Sequence, residues 1–304
     1  MKTMWLAGCC LFLASALCYG ADVGVVTILD GNARLLRGTS WHKLIEGVRL
    51  QDGDVIDAAD AQVQIELSAG PIVNLVGPAE LFAASAGSRE GKQLAPAEMY
   101  LTRGWLKLAV KQGGVALRVR SPAAAITTGD GVAVMHVAPE ALEAFVERGD
   151  TTRLTEPGKG AAEGAAHEVK GGEFAIYASD RPFATAGAAP QKFVAAMPRH
   201  FRDPLPNRAA LYQVSRVQLV ADRPITYAEA EPWLSGPYRR AFLKRLQPRL
   251  ADAEFRGPVM AKLQAYPEWH DILVPPEPKD KAEAPPKSTE KAEPARNWPF
   301  GNTK

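Results

Sequence analysis

The sequence holds five histidines, and no two stand at the i, i+2 or i, i+4 spacing that lets one face of a strand or helix offer paired imidazoles to a metal. They are His42, His136, His167, His200 and His270. His136 shares a strand face with Val132 and Val134, the setting of a half-buried histidine with a local partner. Ser40-Trp-His-Lys43 has the S-x-x-K spacing of penicillin-binding enzymes. That chemistry needs the serine at a helix start together with Ser-Asp-Asn and Lys-Thr-Gly motifs, and neither occurs. Gly158-Lys-Gly160 lacks the leading glycine and the trailing Ser or Thr of a phosphate loop. Asp52, Asp54 and Asp57 crowd three carboxylates into a short span, fewer oxygen ligands than a calcium loop assembles. No catalytic residue, cofactor or metal site is expected from these patterns.

The densest charged stretch is Arg239, Arg240, Lys244, Arg245 and Arg249. It reads either as a solvated helix face or as a patch for anionic lipid headgroups, an acidic polysaccharide or an acidic protein surface. Trp233, Tyr238 and Trp269 lie nearby, at spacings that suit a helical core as well as an aromatic contact. The whole chain is close to neutral, with 36 Lys and Arg against 34 Asp and Glu, so no overall field argues for nucleic acid.

The elements that must position these residues fall into two regimes. Up to about residue 177 the pattern has the two-residue period of strands. Val63, Ile65 and Leu67 alternate with Gln62, Gln64 and Glu66, and Leu106, Leu108 and Val110 alternate with Lys107 and Lys111. Val115, Leu117 and Val119 alternate with Arg118 and Arg120. Further strands are expected at 23–29, 33–37, 72–76, 132–137, 144–148 and 173–177. Turn dipeptides such as Asp30-Gly31, Asp52-Gly53, Gly77-Pro78 and Gly113-Gly114 separate them. Residues 139–142 read as a helical turn or loop and 155–166 as a loop. One more strand is expected at 215–220.

From Thr226 the period becomes helical. Thr226 and Glu229 fit a capping box, and Tyr238, Phe242 and Leu246 form an apolar stripe. Pro248 ends that helix, Asp252 caps the next turn, and Pro258 reads as the first turn of a further helix. The expected organisation is a signal peptide at 1–20, a β domain at 21–177, and a linker or partly packed segment at 178–224. A small helical region at 225–274 and a disordered Pro-, Lys- and Glu-rich tail at 275–304 complete it. The fold class is mainly β, a sandwich or roll of short antiparallel strands followed by short helices. Trp298-Pro-Phe300 is the one aromatic cluster of the tail, either incidental or a short docking peptide.

The leader combines Lys2 with an apolar run from Met4 to Cys18, and cleavage is expected after Gly20. An uncleaved anchor and lipidation at Cys9 or Cys18 are the alternatives. All three cysteines lie in this leader, so the mature chain would carry none, which suits an oxidising periplasm. No later segment is apolar enough for a transmembrane helix.

The strand region resembles a FecR-type domain. The resemblance rests on Gly24-Val-Val, on Gly47-x-x-Leu50-x-x-Gly53-Asp54-x-Ile56, and on 61–67. It continues through Leu101-x-x-Gly104-x-Leu106, Leu117-x-Val119-x-Ser121-Pro122-x-Ala124, Gly131-x-Ala133-Val134 and Val146-x-x-Gly149. Gly47, Leu50, Gly53 and Asp54 are expected to be structural: the glycines permit positive φ, Leu50 pins the turn to the core and Asp54 bonds turn backbone. The resemblance implies a periplasmic domain that contacts other proteins. Proteins of that type restrain a sigma factor through a cytoplasmic segment and hear a TonB-dependent receptor through the periplasmic one. This sequence opens on an export leader instead, so the periplasmic half of the role is what carries over. The expected function is a non-catalytic, periplasmic binding or scaffold protein that engages an envelope protein or an anionic glycan or lipid surface. A sensor or regulator in cell-surface signalling is the first alternative, and an envelope enzyme acting on glycans through two converging carboxylates is the second.

Overall fold

The computed structural model describes residues 22–90, 93–149, 151–158, 164–214 and 217–274. The leader, part of the Gly158-Lys-Gly160 segment and the tail with Trp298-Pro-Phe300 lie outside the described residues.

Strand period governs the first two-thirds of the chain. The strands are β1 (Asp22–Asp30), β2 (Arg34–Arg37), β3 (Ser40–Lys43), β4 (Arg49–Gln51), β5 (Val55–Asp57), β6 (Gln62–Leu67) and β7 (Ile72–Ser85). They continue with β8 (Ser88–Glu90), β9 (Gln93–Ala95), β10 (Ala97–Val110), β11 (Leu117–Arg120), β12 (Ala125–Thr128) and β13 (Gly131–Ala138). β14 (Ala141–Arg148), β15 (Thr152–Thr155), β16 (Ala166–Val169), β17 (Phe174–Ala178), β18 (Arg181–Ala186) and β19 (Ala221–Pro224) complete the set. The turn expected at 139–142 is shorter than its residues suggested, since β14 begins at Ala141.

The long hairpin of β7 and β10 is the spine. The first half of β7 pairs with β6 and its second half with β5. The second half of β10 pairs antiparallel with β13, while its first half pairs in parallel with β11. The hairpin therefore passes from one wall to the other. One wall runs β4, β1, β6, β7, β10, β13, β14, β17, β18. The other runs β19, β3, β2, β5, β7, β10, β11, β12, β15, β16. The bend needs Gly104: its φ is +98°, and a Cβ there would lie 2.5 Å from the Ala79 Cβ. Ile65, Leu75, Leu106, Met135 and Val146 of the first wall share one apolar core with Leu35, Leu81, Met99, Val119 and Leu154 of the second.

The remainder of the chain wraps this sandwich. β18 extends the first wall beyond 178. Next, α1 (Gln191–Ala196) and a 3-10 turn at Arg199–Phe201 press Phe193 and Phe201 onto Val134 and Phe174 of that wall's outer face. The segment then crosses a polar row. Lys107 Nζ donates to the carbonyls of Phe201 (2.6 Å) and Asp203 (3.2 Å) and to Glu147 Oε1 (2.8 Å). Gln64 Nε2 donates to the Pro206 carbonyl (2.8 Å), and the Arg208 N–H donates to Glu66 Oε1. Gln64, Glu66 and Lys107, the polar side of the alternating strands, are thus buried beneath a strap.

Of the strand expected at 215–220, the described residues 217–220 form none; a strand forms instead at Ala221–Pro224 and adds to β3, at the edge of the second wall. The helices α2 (Tyr227–Ser235), α3 (Arg239–Leu246), α4 (Ala253–Ala261) and α5 (Pro267–Leu273) cover that wall's outer face. The Thr226–Glu229 capping box starts α2 as expected, and Asp252 caps α4. Pro258 departs from expectation: it lies inside α4, because Asp252 has already started the helix. Trp233, Tyr238 and Phe242 close around Phe82, with ring centroids 5.9, 4.8 and 5.2 Å away. No helix among the described residues is long and apolar enough to cross a membrane.

Candidate functional site

The outer face of the second wall carries two cross-strand rows, two residues apart along β2, β3, β5 and β7 and three apart along β10. The apolar row is Trp41, Leu36, Val55, Phe82 and Tyr100, each directly opposite the next. Helices α2 and α3 cover it. The neighbouring row is charged: Lys43, Arg34, Asp57, Glu80 and Arg103. A register shift in β10 between Leu101 and Arg103 inserts an extra residue, so that Thr102 also reaches Glu80. Arg34, Asp57, Glu80 and Arg103 of this row form one side of a cleft of about 470 Å³, which Trp41, Glu229 and Pro232 also line.

Most charges in this cleft are compensated. Arg34 Nη2 meets Asp57 Oδ2 at 2.6 Å and its Nη1 meets Glu229 Oε1 at 3.3 Å, with the guanidinium 4.4 Å above the Trp41 ring. Arg223 grips Glu229 with two bonds of 2.6 and 2.8 Å. The Arg223 bonds hold the Glu229 carboxyl well below the usual carboxylate range, against the opposing effect of burial, and the Thr226 cap adds to them.

Glu80 differs. Thr102 Oγ1 donates to its Oε2 at 3.2 Å, and no Lys or Arg among the described residues stands within ion-pair distance of it. Burial pushes its carboxyl up, the Thr102 bond opposes this, the Asp57 charge raises it further and Arg103 pulls it down from a distance. The buried Trp233 indole N–H faces this carboxyl outside hydrogen-bonding geometry, and the buried Trp41 N–H has no acceptor. Asp57 and Glu80 are the paired carboxylates in a cleft that a glycan-acting enzyme would use, but Asp57 is tied to Arg34.

The turn residues have the geometry their types suggest. Gly47 and Gly53 have φ of +81° and +89°, and Leu50 is fully buried. Asp54 accepts the Gln51 N–H at 2.8 Å and two bonds from Arg37, at 3.0 and 2.6 Å. Asp54 and Asp57 are thus each matched by an arginine, and no group of three or more metal-type side chains converges among the described residues.

The basic cluster divides. Arg245 donates to the Gly53 carbonyl and lies 4.7 Å over the Phe242 ring. Arg239 pairs with Glu268 at 2.7 Å, and Arg249 pairs with Asp252 at 2.9 Å. Arg240 and Lys244 are exposed. Ser40 and Lys43 occupy the two ends of β3, where an i, i+3 spacing points side chains to opposite faces. His136 stacks on Trp105 and meets Glu143 at 3.1 Å, and His167 meets Glu156 at 2.8 Å.

The charged row was not singled out in the sequence. Its signal is faint: in β2 and β5 a charged residue takes the position two away from a buried apolar one on the same face.

No protein-family model matches this chain, and no curated protein matches it. It is similar to crystal structures, at 2.50 and 1.65 Å, of a protein from Parabacteroides distasonis ATCC 8503 that is proposed to be an anti-sigma factor. The identities are 16% and 15%, with TM-scores of 0.37. The match covers 46% of this chain and 62% and 63% of those chains, less than two-thirds of their length.

Proposed function

We propose that this chain is a non-catalytic, exported binding module of the cell envelope, built on a FecR-like sandwich, that engages a protein partner through the charged cleft of its second wall. The observation that carries this reading is Glu80. A half-buried carboxyl without a cation costs stability, and a glutamine would keep the Thr102 contact without that cost. Its two acidic neighbours in the cleft have arginines. A carboxyl held this way is suited to a partner that arrives with the missing complement.

Site-specific photo-crosslinking in cells tests the reading. A photoreactive residue at Thr102 is expected to capture a discrete polypeptide, whereas one at exposed Leu211, on the far side of the sandwich, is not. Equal yields at both positions would remove the cleft from consideration.

A regulatory role in surface signalling is the second reading. What favours it is the Gly47–Asp54 turn, which carries the resemblance to FecR-type domains and has the expected backbone. Transcript profiles of a deletion strain test it, and an unchanged profile under envelope stress overturns it. A glycan-cleaving role would require release of soluble fragments from peptidoglycan, dependent on both Asp57 and Glu80, and none is expected.

A further inference from the structure

We propose that the Trp298-Pro-Phe300 cluster, in the segment that follows α5, folds back onto this chain's own helical cover and docks in an apolar groove there. The groove shares no lining residue with the charged cleft, so the inference stands apart from the function proposed above.

The groove follows from how the helices pack. Phe255 and Val259 of α4 and Trp269 of α5 are buried in the core beneath the cover. Arg256 and Met260, each one position further along α4 and four apart, share the neighbouring side of that helix. With Ile272 and Leu273 of α5, Lys244 of α3 and Leu250 of a 3-10 turn at Gln247–Ala251, they line a groove of about 700 Å³. Met260 and Ile272 remain 43% and 45% exposed, apolar surface that an apolar occupant would take out of water. Lys244 and Arg256 have no ion-pair partner among the described residues.

Three observations select the occupant. The first is the tether. Ile272 and Leu273 line the groove and Val274 is the last described residue, so the segment from 275 onward starts at the groove itself. Residues 275–297 reach roughly 70 Å when fully extended and a few tens of Å as a coil, enough to return at an effective concentration in the millimolar range. The second is composition. Trp298 and Phe300 are the only large apolar side chains in 275–304. Pro299 biases Trp298 towards extended backbone, and in an extended strand two positions apart means one side, which suits an elongated groove. The third is charge. Glu290 and Glu293 precede the aromatic pair and match the unpaired Lys244 and Arg256.

The experiment uses the full mature chain labelled with nitrogen-15 and follows the Trp298 indole N–H, assigned with Trp298→Phe. Its signal is expected away from that of a synthetic 275–304 peptide and independent of protein concentration. Met260→Glu combined with Ile272→Glu, two exposed positions, should return it to the peptide value while the Trp41 and Trp105 signals stay native. Lys244→Glu combined with Arg256→Glu should move it part of the way. A photoreactive residue at Ala251, which also lines the groove, should crosslink within one chain to the peptide that contains Trp298. Trp298→Ala with Phe300→Ala should cut that yield by about tenfold or more. A Trp298 signal at the peptide value in the wild type would overturn the inference. So would a shifted signal that ignores the groove substitutions, or crosslinks at Ala251 that join two chains or capture lipid in place of this segment.

Discussion

The Arg245 guanidinium donates a hydrogen bond to the carbonyl of Gly53, a residue 192 positions earlier in the chain. This contact joins the β4–β5 turn to the helical cover. Gly53 also bonds the hairpin, its N–H donating to the Ala83 carbonyl at 2.7 Å, so the turn supports β7 on one side and α3 on the other. Burial pushes the Arg245 guanidinium down and the Asp54 carboxylate opposes this.

Gly53→Ala should destabilise the protein twice over. Alanine at φ +89° carries left-handed strain of about 1–2 kcal/mol, and its Cβ would collide with the Arg245 guanidinium. Arg245→Ala alone loses the carbonyl bond and the stacking on Phe242, about 1–2 kcal/mol. The double variant should lose less than the sum, because the collision disappears with the arginine. Urea unfolding of all four proteins measures the coupling, and strictly additive losses would contradict the contact.

Lys107 should behave as a peg for the strap. Lys107→Ala leaves Glu147 and two backbone carbonyls without their donor and is expected to cost about 3 kcal/mol. Lys107→Met, which keeps the length, should still lose most of that. Hydrogen exchange would show faster exchange in residues 199–212 than in α2–α4. Uniform acceleration across the chain would instead mean that the strap and the helices open as one unit.

Glu229 gives the stability a pH dependence of known sign. Its folded pKa lies below the ordinary 4.5, so it stabilises the folded state fully above that value. The contribution begins to fall as the pH drops through about 4.5 and continues to be lost down to the folded pKa. Glu229→Gln should lower Tm at pH 7 and flatten the decline in Tm between pH 5 and pH 3. A wild-type difference that persists undiminished at pH 2 would argue against the ion pairs as its source.

Glu80 should show the opposite sign. With its folded pKa raised, it favours the folded state least when ionised, and its cost sets in as the pH rises above 4.5 through the folded pKa. Glu80→Gln is therefore expected to raise Tm at pH 7 and to match wild type at pH 4 or below. A gain in stability accompanied by a loss of crosslinking at Thr102 is the pattern of a residue kept for a partner. A Tm that falls at pH 7 would identify Glu80 as structural.

Local pattern carried much of the architecture. Alternation in Gln62–Leu67 and Leu106–Val110, the glycine-bearing turn at Gly47–Asp54 and the Thr226–Glu229 capping box are short-range features, and each appears where the residues put it. The cleft was not legible in the same way. Arg34, Asp57, Glu80 and Arg103 come from four strands spread over about 70 residues, and only the pairing register makes them neighbours. A shift of one residue in any strand would send its charge to the opposite face.

The roles of Gln64, Glu66, Lys107 and Arg245 depended on distant chain in the same way. Polar residues on alternate positions normally mark a solvated face, and nothing within a few residues of Lys107 announces that the chain returns some 95 positions later to cover it. The basic helix likewise reads as a solvated or binding face until the turn at Gly53 supplies a carbonyl for Arg245 and Glu268 supplies a carboxylate for Arg239. Backbone propensity and side-chain period are properties of adjacent residues, so strands, turns and caps follow from composition and order alone. Burial and pairing of charge are properties of what packs against them, and here that was decided by the strap and the helices closing over the two outer faces of the sandwich.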